Sequence, residues 1–339
     1  MRHFVIVGIL VIVVAVLTFF GLNSAHLMPI EASAQSIPID SMWNLELIAI
    51  SFLFALIVVP MAYSLIVFRR KKGDTTDAEH MEDNTRLEIT WTILPLLIVT
   101  AFAYLGATNL AETRRVDPEA MVVKVTGIQW SWKFEYPSDP NSGFVVSSDE
   151  LHLPVGKQVL LQMTSNDVIH SFWVPEFRVK QDLVPGRITQ LRITPILEGN
   201  YKVRCAELCG TSHAFMERPV VVSAQGDFDA WMAQQVEHAK QLSATPEGAG
   251  QLLVSANGCA ACHSINGAAG IGPTWFGLFG SQVKLTDGST VVADEAYITE
   301  SIKHPQAKIV AGFETQLMPT YDFTDEQIAN IVAYIKTLR

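Results

Sequence analysis

The feature that most constrains this chain is a pair of long apolar runs near its start, Leu45–Phe68 and Ile89–Leu110. Each is long enough to cross a bilayer as a helix. The first ends in Arg69-Arg70-Lys71-Lys72, a basic cluster that holds its end on the cytoplasmic side. Pro60 lies inside that run and is tolerated in a membrane helix. The second run then returns outward, so the two form a helical hairpin and everything after about residue 111 lies outside. Two buried core helices would not need this length or the flanking charge. An earlier run, Phe4–Phe20 behind Arg2, is either a signal peptide or a further transmembrane helix. Ala32-Ser33-Ala34 resembles a cleavage motif, but it lies farther from the apolar end than a signal peptide places one, which tilts the reading toward retention. No Cys lies near the N-terminus, which excludes lipid attachment there.

With 339 residues the chain has room for two or three domains. Its net charge of -10 argues against nucleic acid as a partner. It suits a basic protein donor, or simply keeps an exported domain soluble. From Met121 the pattern becomes β. Met121–Val125, Leu151–Leu153, Gln158–Met163, Arg187–Thr194, Gly199–Arg204 and Arg218–Val222 read as short strands. Turn signals such as Pro154-Val155-Gly156 and Pro185-Gly186 separate them, which suggests an antiparallel β-sandwich. Trp130, Trp132, Phe134 and Tyr136 recur at period two and form one strand face. They are either core packing or, for one at the surface, an acceptor of electrons.

The chemistry is densest in Cys205-Ala206-Glu207-Leu208-Cys209-Gly210-Thr211-Ser212-His213-Ala214-Phe215-Met216. Two thiolates, an imidazole and a thioether are soft or borderline ligands that suit copper. A mononuclear site needs one Cys, so the second argues for two coppers bridged by two thiolates. The missing imidazole is best supplied by His170, which follows one predicted strand while the Cys205 loop follows another. Loops at one end of a rigid sandwich are a usual place for such a site. A Cys205–Cys209 disulfide would leave His213 and Met216 without a purpose, and zinc has no use for the Met.

Asp227–Leu242 reads as a helix capped by Asp227, and Thr245-Pro246-Glu247 opens a new unit. Cys259-Ala260-Ala261-Cys262-His263 is the attachment motif of a c-type haem, with His263 as one axial ligand. A dithiol redox pair is the alternative, and the adjacent His speaks against it. For the sixth ligand Met318 is the best candidate and His304 the competitor; a thioether would raise the potential. Thr324-Asp325-Glu326-Gln327 is a capping box. It opens a last helix with Ile328, Ile331, Val332 and Ile335 on one face. Glu88 opens the third apolar run, where a helix dipole favours an acid; an acid at that depth also suits a proton path.

Taken together, the hairpin, Gln129-Trp130-Ser131-Trp132, Asp167-Val168-Ile169-His170-Ser171 and the Cys205–Met216 stretch resemble subunit II of a bacterial cytochrome c oxidase. The likeness is to the caa-type with a fused C-terminal cytochrome c domain, and it covers about residues 40–339. It implies a membrane-anchored multidomain fold: a transmembrane α-helical hairpin with an N-terminal signal or third helix, a cupredoxin-like antiparallel β-sandwich, and an all-α class I cytochrome c domain. The corresponding boundaries are 1–34, 41–112, 116–225, a helical linker over 226–245, and 246–339. The resemblance implies a binuclear CuA centre held by His170, Cys205, Cys209, His213, Met216 and the Glu207 carbonyl. It also implies a magnesium site shared between the Glu207 side chain and subunit I. Trp130 matches the tryptophan through which electrons come in, and Glu88 the mouth of a proton pathway. Gly272-Pro273 fits the Pro whose carbonyl orients the haem-ligating His263.

The implied function is electron input to a proton-pumping oxidase. Haem c, held by Cys259, Cys262, His263 and Met318, is reduced by an upstream donor: a cytochrome c, a blue copper protein or a respiratory complex. CuA then passes electrons to subunit I, where O2 is reduced to water. Subunits I and III are the implied partners. The plasma membrane is the implied location, with both cofactor domains on the outer face. A quinol oxidase subunit would lack the copper ligands. A nitrous oxide reductase needs a histidine-rich cluster that nine scattered His cannot supply. A free membrane-tethered carrier would need only one span.

Overall fold

The computed structural model describes residues 1–77, 80, 82–137, 145–314 and 318–339. The chain divides into two units, Met1–Arg115 and Val116–Arg339. The first consists of α1 (Arg2–Ser24), α2 (Ser36–Val67) and α3 (Thr85–Thr113). All three are long and apolar enough to cross a membrane. α2 begins nine residues before the apolar run, because its first turns carry polar residues such as Asp40 and Asn44 that hydropathy does not register. Pro60 and Pro95 sit within α2 and α3 without ending them. Asn84 caps α3, its side chain accepting from the Leu87 N–H at 3.1 Å. α1 packs along α2 through Val11, Ala15, Ala55 and Val59. Alanines facing each other let two membrane helices approach closely. At one end of this contact His3 Nδ1 lies 2.7 Å from the Tyr63 hydroxyl.

In the second unit ten strands form two five-stranded sheets. They are β1 (Met121–Ile128), β2 (Ser131–Glu135), β3 (Ser147–Ser148), β4 (Leu151–Pro154) and β5 (Val159–Ser165), then β6 (His170–Trp173), β7 (Lys180–Leu183), β8 (Thr189–Ile193), β9 (Gly199–Cys205) and β10 (Glu217–Ser223). The orders are β3-β2-β1-β5-β8 and β4-β10-β9-β6-β7. The expectation of a purely antiparallel sandwich needs correction, since β1 pairs with β5 and β4 with β10 in parallel. Parallel neighbours require long connections, which turn signals between adjacent strands cannot reveal. Inward residues alternate as the pleat demands: along β5, Val159, Leu161, Met163 and Ser165 are buried.

The aromatic row divides. Trp132, Phe134 and Tyr136 are core residues, 1%, 0% and 2% exposed. Trp130 sits in the turn between β1 and β2 and is only half-buried. The Tyr136 hydroxyl closes the far end of this strand against the backbone of His152.

Beyond the sandwich, α4 (Gln225–Ser243) has Ala224 at its N-cap, with Asp227 in the first turn. The expected Asp227 cap is therefore displaced by three residues; an acid there still favours the helix dipole. α5 (Pro246–Ala256) starts where expected, with Thr245 Oγ1 accepting from the Gly248 N–H. A small hairpin, β11 (Gln282–Lys284) and β12 (Thr290–Val292), interrupts the expected all-helical unit. Its strands are too short to register as a pattern. α6 (Glu295–Lys303) and α7 (Asp325–Thr337) follow, the latter with both hydrogen bonds of the Thr324/Gln327 capping box. Ile328, Ile331, Val332 and Ile335 of α7 join Val254 of α5 and Ile298 of α6 in one core.

α5 crosses α7 at Gly250, where a Cβ would stand 1.9 Å from the Asn330 carbonyl oxygen. Backbone cannot yield there as a side chain would. Gly250→Ala is expected to destabilise this unit by about 3 kcal/mol, the upper range for overpacking. Thermal unfolding of the two proteins checks this; an unchanged melting temperature would show that the crossing relaxes freely.

Candidate metal and haem sites

β6 opens at His170 and β9 closes at Cys205. The two strands pair antiparallel, with Phe172 opposite Cys205. That register carries His170 to the loop across 35 residues of sequence. His170 therefore begins a strand, where a position after one was expected, and it is fully buried. Two main-chain bonds fix the loop: Ala206 N–H to Ser171 O at 2.9 Å and Cys205 N–H to Met216 O at 3.1 Å. A 3-10 turn, His213–Phe215, returns the chain to β10.

The donor atoms converge. Cys205 Sγ lies 3.7 Å from Cys209 Sγ, 3.9 Å from His170 Nδ1 and 3.2 Å from the Glu207 carbonyl oxygen. Cys209 Sγ lies 3.5 Å from His213 Nδ1 and 3.8 Å from Met216 Sδ. The two sulfurs are far beyond the roughly 2.05 Å of a disulfide, and both thiols are free. Two thiolates flanked by one imidazole each, with a thioether and a carbonyl at the ends, fit a pair of soft copper ions. The Glu207 side chain is exposed on the same loop.

Asp167 organises this site, and its role went unassigned in the sequence. Its Oδ1 lies 2.8 Å from His170 Nε2, which leaves Nδ1 facing Cys205. Its Oδ2 accepts from the Gln129 N–H at 2.7 Å. Burial opposes charge on His170, but the contacts with Asp167 and Cys205 prevail and lift its pKa to about 9. Burial likewise opposes ionisation of Cys205, yet His170 and the backbone of Ser171 and Glu207 pull its thiol down to about 6. Burial and the adjacent Cys205 push Cys209 up to about 12. The surroundings thus favour the thiolate at Cys205 and the thiol at Cys209, and a bound cation would displace the remaining proton.

The second site begins at Cys259. Gly258, at φ +67, turns the chain into the 3-10 turn Cys259–Ala261. His263 Nδ1 lies 2.7 Å from the Pro273 carbonyl, and its ring stacks on Trp275 at 4.7 Å and 13°. Only an N–H can pair with that carbonyl, so Nε2 carries the lone pair. Burial lowers the pKa of His263 and keeps the ring neutral, with Pro273 as a smaller opposing effect. A Cβ on Gly272 would come within 3.0 Å of this ring. Met318 lines the same cleft as Cys259, Cys262 and His263. His304 instead caps α6 and lines a separate surface groove with Glu295 and Lys303. Two thiols, an imidazole nitrogen and a thioether around one apolar cleft fit a c-type haem. Gln316 and Leu317, beside Met318, lie outside the described residues.

The two sites share a wall. The sandwich side of the haem cleft consists of Ile128, Gln129, Trp130 and Asp167. Trp130 Nε1 and Gln129 Nε2 both donate to the Cys209 carbonyl, at 3.1 and 2.7 Å. Gly210, at φ +117, leaves room for both; a Cβ would meet Trp130 at 2.9 Å and Gln129 at 3.1 Å. In the sequence Gln129 stands out only as part of the Gln129-Trp130-Ser131-Trp132 motif. Glu88 lies in the first turn of α3, where it is exposed.

Three family profiles match in sequence order. Residues 18–106 match the cytochrome c oxidase subunit II transmembrane domain, 144–225 its periplasmic domain, and 248–339 cytochrome c. Cytochrome c oxidase subunit 2 of Alkalihalophilus pseudofirmus is 31% identical over 300 residues, 86% of this chain and 85% of the relative. The protein of the same name from a Synechocystis species is 32% identical over 277 residues, 67% of this chain and 80% of the relative. The crystal structure of the periplasmic domain of subunit II of cytochrome oxidase from Bradyrhizobium japonicum is 35% identical. It covers 37% of this chain and 98% of its own length, at a TM-score of 0.33. The chain belongs to the cytochrome c oxidase subunit II family, in the form that carries a cytochrome c domain at its C-terminus.

Proposed function

We propose that His170, Cys205, the Glu207 carbonyl, Cys209, His213 and Met216 hold the CuA coppers, and that Cys259 and Cys262 bind the haem covalently, with His263 and Met318 as its axial ligands. The chain is the electron-input subunit of a respiratory oxidase: electrons accepted at haem c pass to CuA and on to subunit I, where O2 is reduced to water with proton pumping. The observation that carries the ligand assignment is the gathering of two sulfurs, two imidazoles, a thioether and a carbonyl within 3.2 to 3.9 Å of one another in successive contacts.

The protein's part is to fix these donors before the metal arrives. Asp167 sets the face that His170 presents, and Pro273 does the same for His263. A frame that need not rearrange when an electron comes or goes favours fast transfer, and tuning the cofactors is the chain's contribution. Trp130, bonded to the Cys209 carbonyl, supports a role in electron input. The exposed Glu207 side chain serves a magnesium ion shared with subunit I, and Glu88 a proton path into it. Subunit III belongs to the same assembly. A cytochrome c, a blue copper protein or a respiratory complex donates the electron; the net charge of -10 suits a basic donor.

The same reading gives the chain three membrane spans, with both cofactor domains on the outer face. Arg69-Arg70-Lys71-Lys72 marks the cytoplasmic end of α2, and the His3–Tyr63 contact brings the start of α1 to that same end. A helix that buries Val11 and Ala15 against α2 belongs to the working protein. Intact mass spectrometry of the purified subunit is expected to retain residues 1–34; a mature chain starting after Ala34 would refute retention. Met216→Leu should alter the copper absorption and EPR signals and leave the haem spectrum intact, whereas Met318→Leu should do the reverse. Loss of both signals from either variant would contradict two separate sites.

A further inference from the structure

Gln129 touches both cofactor sites at once. Its main-chain carbonyl oxygen lies 4.0 Å from Cys262 Sγ, in the haem attachment motif. Its side-chain amide donates to the Cys209 carbonyl at 2.7 Å. Its own N–H is held by Asp167, the carboxylate that also orients His170. Gly258, immediately before Cys259, faces Ile128 and Ser131 on either side of this turn; a Cβ there would lie 3.8 and 3.9 Å from them. The cytochrome loop therefore seats on the β1–β2 turn, with Gln129 at its middle.

We infer that Gln129 is the bridge that couples the haem to the copper pair within this chain. The inference rests on the ligand assignment above. From Cys262 Sγ the route makes one through-space step to the Gln129 carbonyl. It then follows the residue's own bonds to Nε2, crosses a hydrogen bond to the Cys209 carbonyl, and ends in the bonds to Cys209 Sγ. Orbital overlap decays far more slowly through bonds and short hydrogen bonds than across open space. Trp130 lines the same cleft and reaches the same carbonyl by a longer hydrogen bond, 3.1 Å against 2.7 Å, but the hydrogen-bond-range contact to Cys262 Sγ is made by the Gln129 carbonyl. With both groups bound, the route would carry a single electron, lost by the reduced haem and gained by the oxidised copper pair. No bond breaks, and no proton leaves Gln129. It is a positioning residue whose amide supplies the coupling.

The test is the internal transfer rate in the assembled oxidase. A photoexcited ruthenium complex injects one electron into the haem, and reoxidation of the haem band is followed together with bleaching of the near-infrared copper band. Both midpoint potentials are measured in each variant. Gln129→Leu should slow the haem-to-copper phase several-fold with both spectra and both potentials unchanged. Gln129→Asn, whose amide is one methylene too short to reach Cys209, should slow it similarly. An unchanged rate in either variant would overturn the inference. So would a slower rate explained by a shifted potential, or failure of both variants to load copper, since Gln129 would then only build the site. If the wild-type haem itself does not pass its electron to copper, the proposed function fails instead.

Discussion

The copper loop depends on one short register, Phe172 of β6 opposite Cys205 of β9. From it follow the Ala206-to-Ser171 bond, the placement of His170 beside Cys205, and the return of the loop through Met216 to β10. A slip by one residue would turn His170 to the other face of its sheet and leave the thiols without their imidazole. The register is secured from the core. Phe172, Leu183 and Val203 are wholly buried, and Trp132 packs edge-on against both Phe172 and His170. A fixed frame at the copper loop is thus a consequence of sandwich packing.

The same packing explains the split in the aromatic row. Strand pleating sends Trp132, Phe134 and Tyr136 inward, while the turn before β2 releases Trp130 toward the Cys209 carbonyl. Only a glycine at 210 leaves space for that approach. The haem cleft is built by comparable local means. A carbonyl of Pro273 holds His263, Trp275 covers its ring, and the α5–α7 crossing closes the unit behind. Asp167 and Gln129 link the two constructions, because each belongs to the wall of one site and to the hydrogen bonds of the other.

Much of this was legible in the sequence, for a physical reason. Cys205–Met216 and Cys259–His263 are local motifs whose proposed ligands are spaced by the loops that carry them. The membrane runs and the Thr324 capping box are likewise local. His170 needed a partner 35 residues away, and chemical demand for a second imidazole was enough to find it. What local patterns could not yield was long-range pairing: the parallel β1–β5 and β4–β10 ladders, and the hairpin inserted between the cytochrome helices. Asp167 and Gln129 stayed hidden because a carboxylate or amide declares its role only through its partner. A carboxylate three residues before a candidate His ligand was the available signal for Asp167. Asp227 misled as a cap because an acid is equally at home in a first turn.

The central claim is that one chain holds a copper pair and a covalent haem side by side. Elemental analysis of the purified subunit, combined with mass spectrometry of its denatured peptides, tests it most directly. The expected result is two copper atoms for each iron, with the haem still attached to the peptide that contains Cys259 and Cys262. A single copper, zinc in its place, a Cys205–Cys209 disulfide, or haem that washes off on denaturation would contradict the account.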